Sequence, residues 1–134
     1  MFQIKARVDY GLMIMLELAR EPKHILSLSG LAKRLGISSI YLIQISQSLT
    51  KAGLIKSKEG SRGGYILARP ASQISLLAVI EALEGNIEAR CLSGGKQCAC
   101  LSSCQIRDVW NFILGDIRST LKKRTLAYLL KKSL

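Results

Sequence analysis

Four cysteines, the only ones in the chain, lie within 14 residues of one another. They are Cys91, Cys98, Cys100 and Cys104, separated by six, one and three residues. Clustered thiols in a cytosolic protein indicate metal or redox chemistry, because disulfides are rare in that compartment. Structural zinc sites favour cysteines separated by roughly two to four residues, and only the last pair approaches that spacing. The pattern leaves three alternatives open: an iron–sulfur cluster, a zinc site, or free thiols that sense oxidants.

A second group of residues, near the middle of the chain, has the composition of a DNA-reading helix. Residues 27–52 show a helix over Leu28–Leu35, a turn at Gly36, and another helix to about Ala52. Gly36 can adopt the positive φ that a sharp reversal needs. In a helix-turn-helix the second helix lies in the major groove and leads with its N-terminal residues. Because Ser and Gln can hydrogen-bond base edges, we predict that the polar residues at this leading end read DNA: Ser38, Ser39, Tyr41 and Gln44.

Two short strand-like runs follow at once, Leu54–Lys58 and Gly64–Ala68, and a glycine-rich tip joins them. This pattern predicts a β-hairpin, or wing. Arg62 and Gly63 lie in the tip, where glycine allows close backbone approach and Arg suits a narrow minor groove. Basic residues flank the hairpin and are predicted to hold phosphates without reading sequence: Lys51, Lys56, Lys58 and Arg69.

Helical periodicity predicts the elements that must position these residues. The segments are Ala6–Arg20, Leu76–Leu83, Cys104 to about Lys122, and Leu126–Lys131. The expected N-caps of the two central helices are Ser27 and Ser38. Ser75 and Thr125 are expected to cap the helices that begin at Leu76 and Leu126. The fold class is therefore mainly α with a small β-wing, a winged helix-turn-helix plus a long C-terminal helix.

The long C-terminal helix carries a broad apolar stripe: Ile106, Val109, Trp110, Ile113, Leu114, Ile117 and Leu121. Such a stripe, late in so small a chain, suggests a dimerisation helix, and the alternative is packing on its own domain. The expected organisation is a DNA-binding domain over 1–85, a cysteine loop over 86–104, and the dimerisation and C-terminal helices over 105–134.

Composition limits the class of protein. The chain has 134 residues and a formal net charge of +11, which suggests a polyanionic partner such as double-stranded DNA. No apolar run reaches the roughly 18 residues of a membrane span, and the N-terminus lacks the uncharged core of a signal peptide. We therefore expect a soluble, cytoplasmic protein. The sequence shows no close acid pair, serine–histidine arrangement or nucleotide loop, so we expect no enzyme.

Several short motifs together resemble the IscR/NsrR/CymR family of bacterial winged-helix transcriptional regulators. They are Asp9-Tyr10-Gly11, Gly36-Ile37-Ser38, Tyr41-Leu42, Ala52-Gly53-Leu54, Arg62-Gly63-Gly64-Tyr65, Leu67 and Trp110. The resemblance implies a homodimer joined through its long C-terminal helix and bound to a near-palindromic operator, most often as a repressor. It also implies that Ser38, Ser39, Tyr41 and Gln44 read the major groove and that Arg62 reads the minor groove.

The same resemblance favours the iron–sulfur alternative for the thiols. Cluster-bearing members use three cysteines in this loop, and Cys91, Cys98 and Cys104 match them; Cys100 is additional and could replace one of them or act as a redox thiol. The histidine that members similar to IscR use as fourth ligand is replaced by Arg107. Other members use a carboxylate near the start of the partner subunit's first helix. In this chain that position is occupied by Asp9, so the ligand would be Asp9 of the partner subunit. The cluster type, two-iron or four-iron, stays undecided.

The position of the cysteine loop along the chain suggests how the thiols would act. The cysteine loop leads into the dimerisation helix, so a change in cluster state would alter the spacing of the two recognition helices and hence operator affinity. The alternative is a winged-helix regulator without a cluster, controlled by thiol oxidation, structural zinc or a partner protein.

Overall fold

A computed structural model describes residues 3–59, 63–88 and 104–132 of the chain. In chain order its helices and strands are α1 (Ala6–Arg20), α2 (Leu28–Leu35), α3 (Ser39–Lys51), β1 (Ile55–Lys58), β2 (Gly64–Leu67), α4 (Leu76–Glu84), α5 (Gln105–Lys123) and α6 (Leu126–Lys132). A short 3₁₀ turn, Ala71–Gln73, precedes α4. Each predicted helix and strand is present, with ends that differ by a residue or two.

The core forms where α1, α2, α3, α4 and the start of the hairpin meet. One face of each helix is apolar at helical spacing, so these faces pack together away from water. The most deeply buried side chains include Ile14, Met15, Leu18, Leu42, Ile45, Leu49, Leu54, Ile55, Ile74, Val79 and Leu126. α3 lies in the middle of this core, which fixes its orientation relative to the rest of the domain.

The turn between α2 and α3 has the geometry that its sequence predicts. The Ser27 hydroxyl accepts a hydrogen bond from the Gly30 amide at the start of α2. Gly36 ends α2 with φ 67° and ψ 31°, the left-handed conformation that favours glycine. The prediction for Ser38 needs a correction: it occupies the N-cap position of α3, but its side chain makes no capping hydrogen bond. Its exposed hydroxyl is therefore left available to an outside partner.

The wing is an antiparallel hairpin in which Ile55 pairs with Leu67 and Lys58 pairs with Gly64. A third short segment joins it, because Leu26 and Tyr65 exchange two backbone hydrogen bonds of 3.0 Å. Gly64 is required here, since a Cβ at this position would collide with the backbone oxygen of Leu26. These backbone hydrogen bonds hold the wing against the segment that precedes α2.

The C-terminal helices attach to the domain through the segment before α4. The Ser75 hydroxyl accepts a 3.1 Å hydrogen bond from the Ala78 amide and caps α4. The Leu76 amide donates to the Arg124 carbonyl and the Leu126 amide donates to the Ile74 carbonyl, so the α5–α6 junction pairs with this segment. Thr125 caps α6, as predicted, by accepting from the Tyr128 amide.

Candidate nucleic-acid interface and cysteine segment

The solvent-facing side of α3 forms what we call the recognition face, defined by Ser39, Ile40, Ile43, Gln44 and Gln47, all of which are exposed. The opposite side of the helix carries Leu42, Ile45 and Leu49, which are completely buried. The core therefore holds α3 so that the recognition face points toward solvent. The predicted readers Ser38, Ser39 and Gln44 are all exposed at this end.

Tyr41, the fourth predicted reader, has a packing contact that the sequence did not reveal. It is half-buried, and its ring meets Tyr10 of α1 edge-on, with centroids 5.8 Å apart and planes at 90°. Edge-to-face geometry is favourable for aromatic pairs. Tyr41 therefore helps to fix α3 against α1, while its role toward DNA stays a prediction.

The predicted phosphate contacts that the structure describes are exposed to solvent. Lys51 ends α3 and Lys58 ends β1, and both are exposed, as is Gly63 next to the wing tip. Arg62, the predicted minor-groove residue, lies outside the described residues. The exposed lysines give the outer edge of the hairpin the positive charge that a phosphate backbone attracts.

Arg7 connects three helices behind the recognition face. Its Nε donates to the Leu83 carbonyl at the end of α4 (3.1 Å), and its terminal nitrogen donates to the Ser48 hydroxyl of α3 (2.5 Å). The Ser48 hydroxyl in turn donates to the Gln44 carbonyl at 3.4 Å. Sequence reasoning missed this link, and its only signal was a basic residue in the first turn of a helix that has one apolar face.

A second polar link joins α4 to α5, because Arg118 of α5 forms a short ion pair with Glu81 of α4. The exposed Lys5 also pairs with Glu84 at 2.7 Å, at the end of α4 that leads into the cysteine segment. The end of α4 is thus tied both to α5 and to α1.

Of the predicted metal ligands, the structure describes Cys104 and Asp9. Cys104 is half-buried and occupies the N-cap position of α5, where its side chain makes no capping hydrogen bond. Asp9 is exposed in the first turn of α1. Cys91, Cys98 and Cys100 lie outside the described residues. Within residues 3–59, 63–88 and 104–132, no group of three or more His, Cys, Asp or Glu side chains could hold a metal ion.

Two further residues bear on the question of a fourth ligand, Arg107 and His24. Arg107, three residues after Cys104, is half-buried and pairs with Asp108 at 3.3 Å. His24 is exposed in the segment after α1, as the sequence suggested.

α5 differs from the other long helices because none of its residues is buried. Three large apolar side chains of the predicted stripe, Leu114, Ile117 and Leu121, are half-buried. The exposed ones are Ile106, Val109, Trp110, Phe112 and Ile113. Monomeric proteins rarely leave so many neighbouring large apolar groups in water, and such patches mark interaction sites.

The arrangement of a core-held helix, a glycine turn and an adjoining antiparallel wing defines a winged helix-turn-helix DNA-binding protein. The comparisons with known proteins identify which kind. The Rrf2 family, described as an iron-dependent transcriptional regulator, matches residues 4–132. The chain belongs to this family, and the resemblance inferred from its motifs is confirmed.

Individual relatives agree with this assignment. The chain is 34% identical over 130 residues to the HTH-type transcriptional regulator IscR of Vibrio atlanticus, covering 96% of this chain and 75% of that protein. The solved structure of CymR, the global cysteine regulator of B. subtilis, superposes with a TM-score of 0.78 at 31% identity, covering 98% of each chain. T. potens IscR has the same TM-score at 32% identity, covering 99% of this chain and 89% of that one.

The fold and these relatives make the chain a DNA-binding transcriptional regulator and not an enzyme. Among the described residues, no helix is both long and apolar enough to cross a membrane.

Proposed function

We propose that the chain acts as a homodimeric repressor of a near-palindromic operator, and that an iron–sulfur cluster held by Cys91, Cys98 and Cys104 controls its affinity. The observation that carries this proposal is the junction at Cys104. A candidate cluster thiol lies there directly before the helix that exposes five large apolar side chains. The proposed division is a DNA-binding unit over 1–85, a cluster loop over 86–104, and a dimerisation region over 105–134.

The homodimer is supported by the length and exposure of α5. Its 19 residues span about 28 Å at 1.5 Å per residue, and exposed apolar side chains recur over its first half. Two copies of such a face can pack against each other about a two-fold axis and remove these side chains from water. A two-fold dimer would carry two copies of α3 for half-sites about 34 Å apart, which is why the proposed operator is near-palindromic.

Cluster binding is supported by the chemistry of the donors. Cys104 is only half-buried at the start of α5, so its sulfur is accessible enough to serve as a ligand, and cysteine sulfurs are the usual ligands of iron–sulfur clusters. Asp9 of the partner subunit is proposed as a fourth ligand, and Cys100 as an additional thiol. An iron–sulfur cluster supplies a redox-active group whose potential depends on its exposure and hydrogen bonds.

The polar links described above support a route from the cysteine segment to DNA. A movement of α5 would act on Glu81 through Arg118, and so on the end of α4. Arg7 joins that end to Ser48 on α3. A shift of α4 would therefore change the position of the recognition face, and a small mismatch in half-site spacing lowers affinity.

The test is anaerobic purification followed by absorption spectroscopy, iron and sulfide analysis, and sedimentation. A coloured dimer with matching iron and sulfide is expected, together with a different operator affinity after the cluster is removed. Cys104→Ser should lose the cluster, whereas Cys100→Ser should retain it and serves as the matched control. Equal operator affinity with and without the cluster would overturn the proposed regulation.

The alternative is a regulator without a cluster, controlled by thiol oxidation, structural zinc or a partner protein. The oxidation alternative draws on a relative: the chain is similar to Staphylococcus aureus CymR, solved in an oxidized form (TM-score 0.74) and in a second structure (TM-score 0.72), each at 31% identity. Colourless protein whose operator affinity changes with reversible oxidation would support this alternative. One zinc per chain would support the structural site instead.

A further inference from the structure

Two large apolar side chains stand on the recognition face of α3. Ile40 is 70% exposed and Ile43 is 42% exposed. They are three residues apart on a helix, so they are neighbours on the same surface, and the exposed Gln44 lies one turn after Ile40. Single exposed apolar residues need no explanation, but an adjacent pair on the surface that faces the DNA groove does.

The core does not need these side chains. Leu42, Ile45 and Leu49 fill the inward side of α3 with no exposed area. Ile40 therefore gains little from burial, and Ile43 also leaves much of its apolar surface in water.

The remaining chemistry of the recognition face narrows what these residues contact. Over its thirteen residues, α3 carries no charged side chain before Lys51 at its end. It therefore lacks the Arg or Lys that usually pairs with guanine and the acid that accepts from cytosine. Glutamine and an apolar side chain together complement an A·T pair, because glutamine pairs with the adenine edge and the apolar group contacts the thymine methyl.

We propose that Ile40 and Ile43 are specificity-determining residues that read the C5-methyl groups of thymines in the operator's major groove, beside an adenine contacted by Gln44. This inference rests on the proposed binding of an operator by α3. DNA is the partner proposed to cover these isoleucines, because they share one exposed face with the polar readers Ser39 and Gln44. The alternative, a protein that binds to this surface, is distinguished from DNA by the experiment below.

The size of the effect follows from the burial of one methyl group. Loss of a buried methyl-sized group weakens binding about fourfold. A dimer on a near-palindrome makes each contact twice, so loss of the same methyl from both half-sites should weaken binding about 15-fold.

The experiment begins with an operator selected from random duplexes by the full-length protein. Each thymine is then replaced symmetrically by deoxyuridine, which removes the methyl group and leaves the pairing edge unchanged. At one or two thymines per half-site, the wild-type protein should bind the uracil duplex about 15-fold more weakly. Ile40→Ala or Ile43→Ala should bind the thymine and uracil duplexes equally at the matching position.

A matched control is available at Ile4, which is 73% exposed and lies outside α3. Ile4→Ala removes the same side chain from another exposed site and should keep the full thymine preference. Both α3 substitutions are at exposed positions, so unchanged helical content by circular dichroism is expected for all three variants.

The outcomes separate this inference from the proposed function. If no duplex is preferred over random competitor, operator binding itself fails. If an operator is selected but uracil has no effect, or if the thymine preference persists in both alanine variants, the methyl-reading role is overturned while operator binding stands. If Ile40→Ala abolished the binding of a protein partner and left DNA affinity unchanged, the methyl-reading role would also be overturned.

Discussion

Helices α3 and α5 are both amphipathic, yet they use their apolar residues in different ways. α3 buries Leu42, Ile45 and Leu49 completely and exposes only the two isoleucines of its recognition face. α5 is longer and buries none of its residues. The free energy that holds α3 in place comes from its own subunit, whereas α5 buries no side chain fully and leaves five large apolar ones exposed to water.

The difference separates a rigid reading element from an element that needs a partner. A recognition helix must be held in position before DNA arrives, because contacts to base edges depend on its placement to within a fraction of an ångström. A dimerisation helix can instead acquire its packing when a second subunit binds. Three pairs of substitutions test this comparison, and each pair sets two related changes at different positions side by side.

The largest expected effect compares Ile45→Ala in α3 with Ile113→Ala in α5. Ile45 is 0% exposed and Ile113 is 39% exposed. Ile45→Ala should lower the free energy of unfolding by about 2–5 kcal/mol, because it leaves a cavity in the core. Ile113→Ala should leave the fold intact but raise the dimer dissociation constant at least about tenfold, since a symmetric interface loses the contact twice. Denaturation at several protein concentrations and sedimentation measure the two quantities.

The opposite pattern would contradict the comparison. If Ile113→Ala lowered subunit stability as much as Ile45→Ala and left the dimer unchanged, α5 would pack on its own domain and the distinction between the two helices would be wrong.

The second pair tests the connection between the two regions, through Arg7 and Lys5. Arg7→Met removes two hydrogen bonds from a partly buried guanidinium, and it should cost about 1.5–3 kcal/mol of stability. Operator affinity should fall as well, because α3 loses its tie to α4. Lys5→Met removes an exposed ion pair with Glu84 and should cost less than about 1 kcal/mol.

Chemical denaturation and operator titration of both Met variants check this prediction. Equal effects at the two positions would show that Arg7 acts only as a surface cation and does not position α3.

Features that depend on local sequence were predicted well. The Ser27 and Ser75 caps, the left-handed Gly36 and the hairpin follow from residues only a few positions apart, and each is present. The inward face of α3 was equally predictable, because its three buried residues recur at helical spacing.

Features that depend on how distant helices cross were not predictable. Arg7 contacts residues 41 and 76 positions away, and Tyr41 meets Tyr10 across two helices. Periodicity specifies which face of a helix is buried, but not which side chain of another helix it meets. The Ser38 hydroxyl shows the same limit on a smaller scale, since a residue suited to capping occupies the N-cap position without making the bond.

The smallest expected effect compares Gly36→Ala with Gly115→Ala, and the two should have opposite signs. Gly36 has φ 67°, so a Cβ there is strained and should cost about 1 kcal/mol. Gly115 lies inside α5, and a Cβ there meets nothing within 4 Å among the described residues. Because alanine favours a helix over glycine, Gly115→Ala should stabilise α5 by up to about 1 kcal/mol, as measured by thermal unfolding at fixed concentration. If Gly115→Ala instead weakened the dimer, a second subunit would have to approach α5 closely at this position, and the interface would extend beyond the apolar face around Trp110.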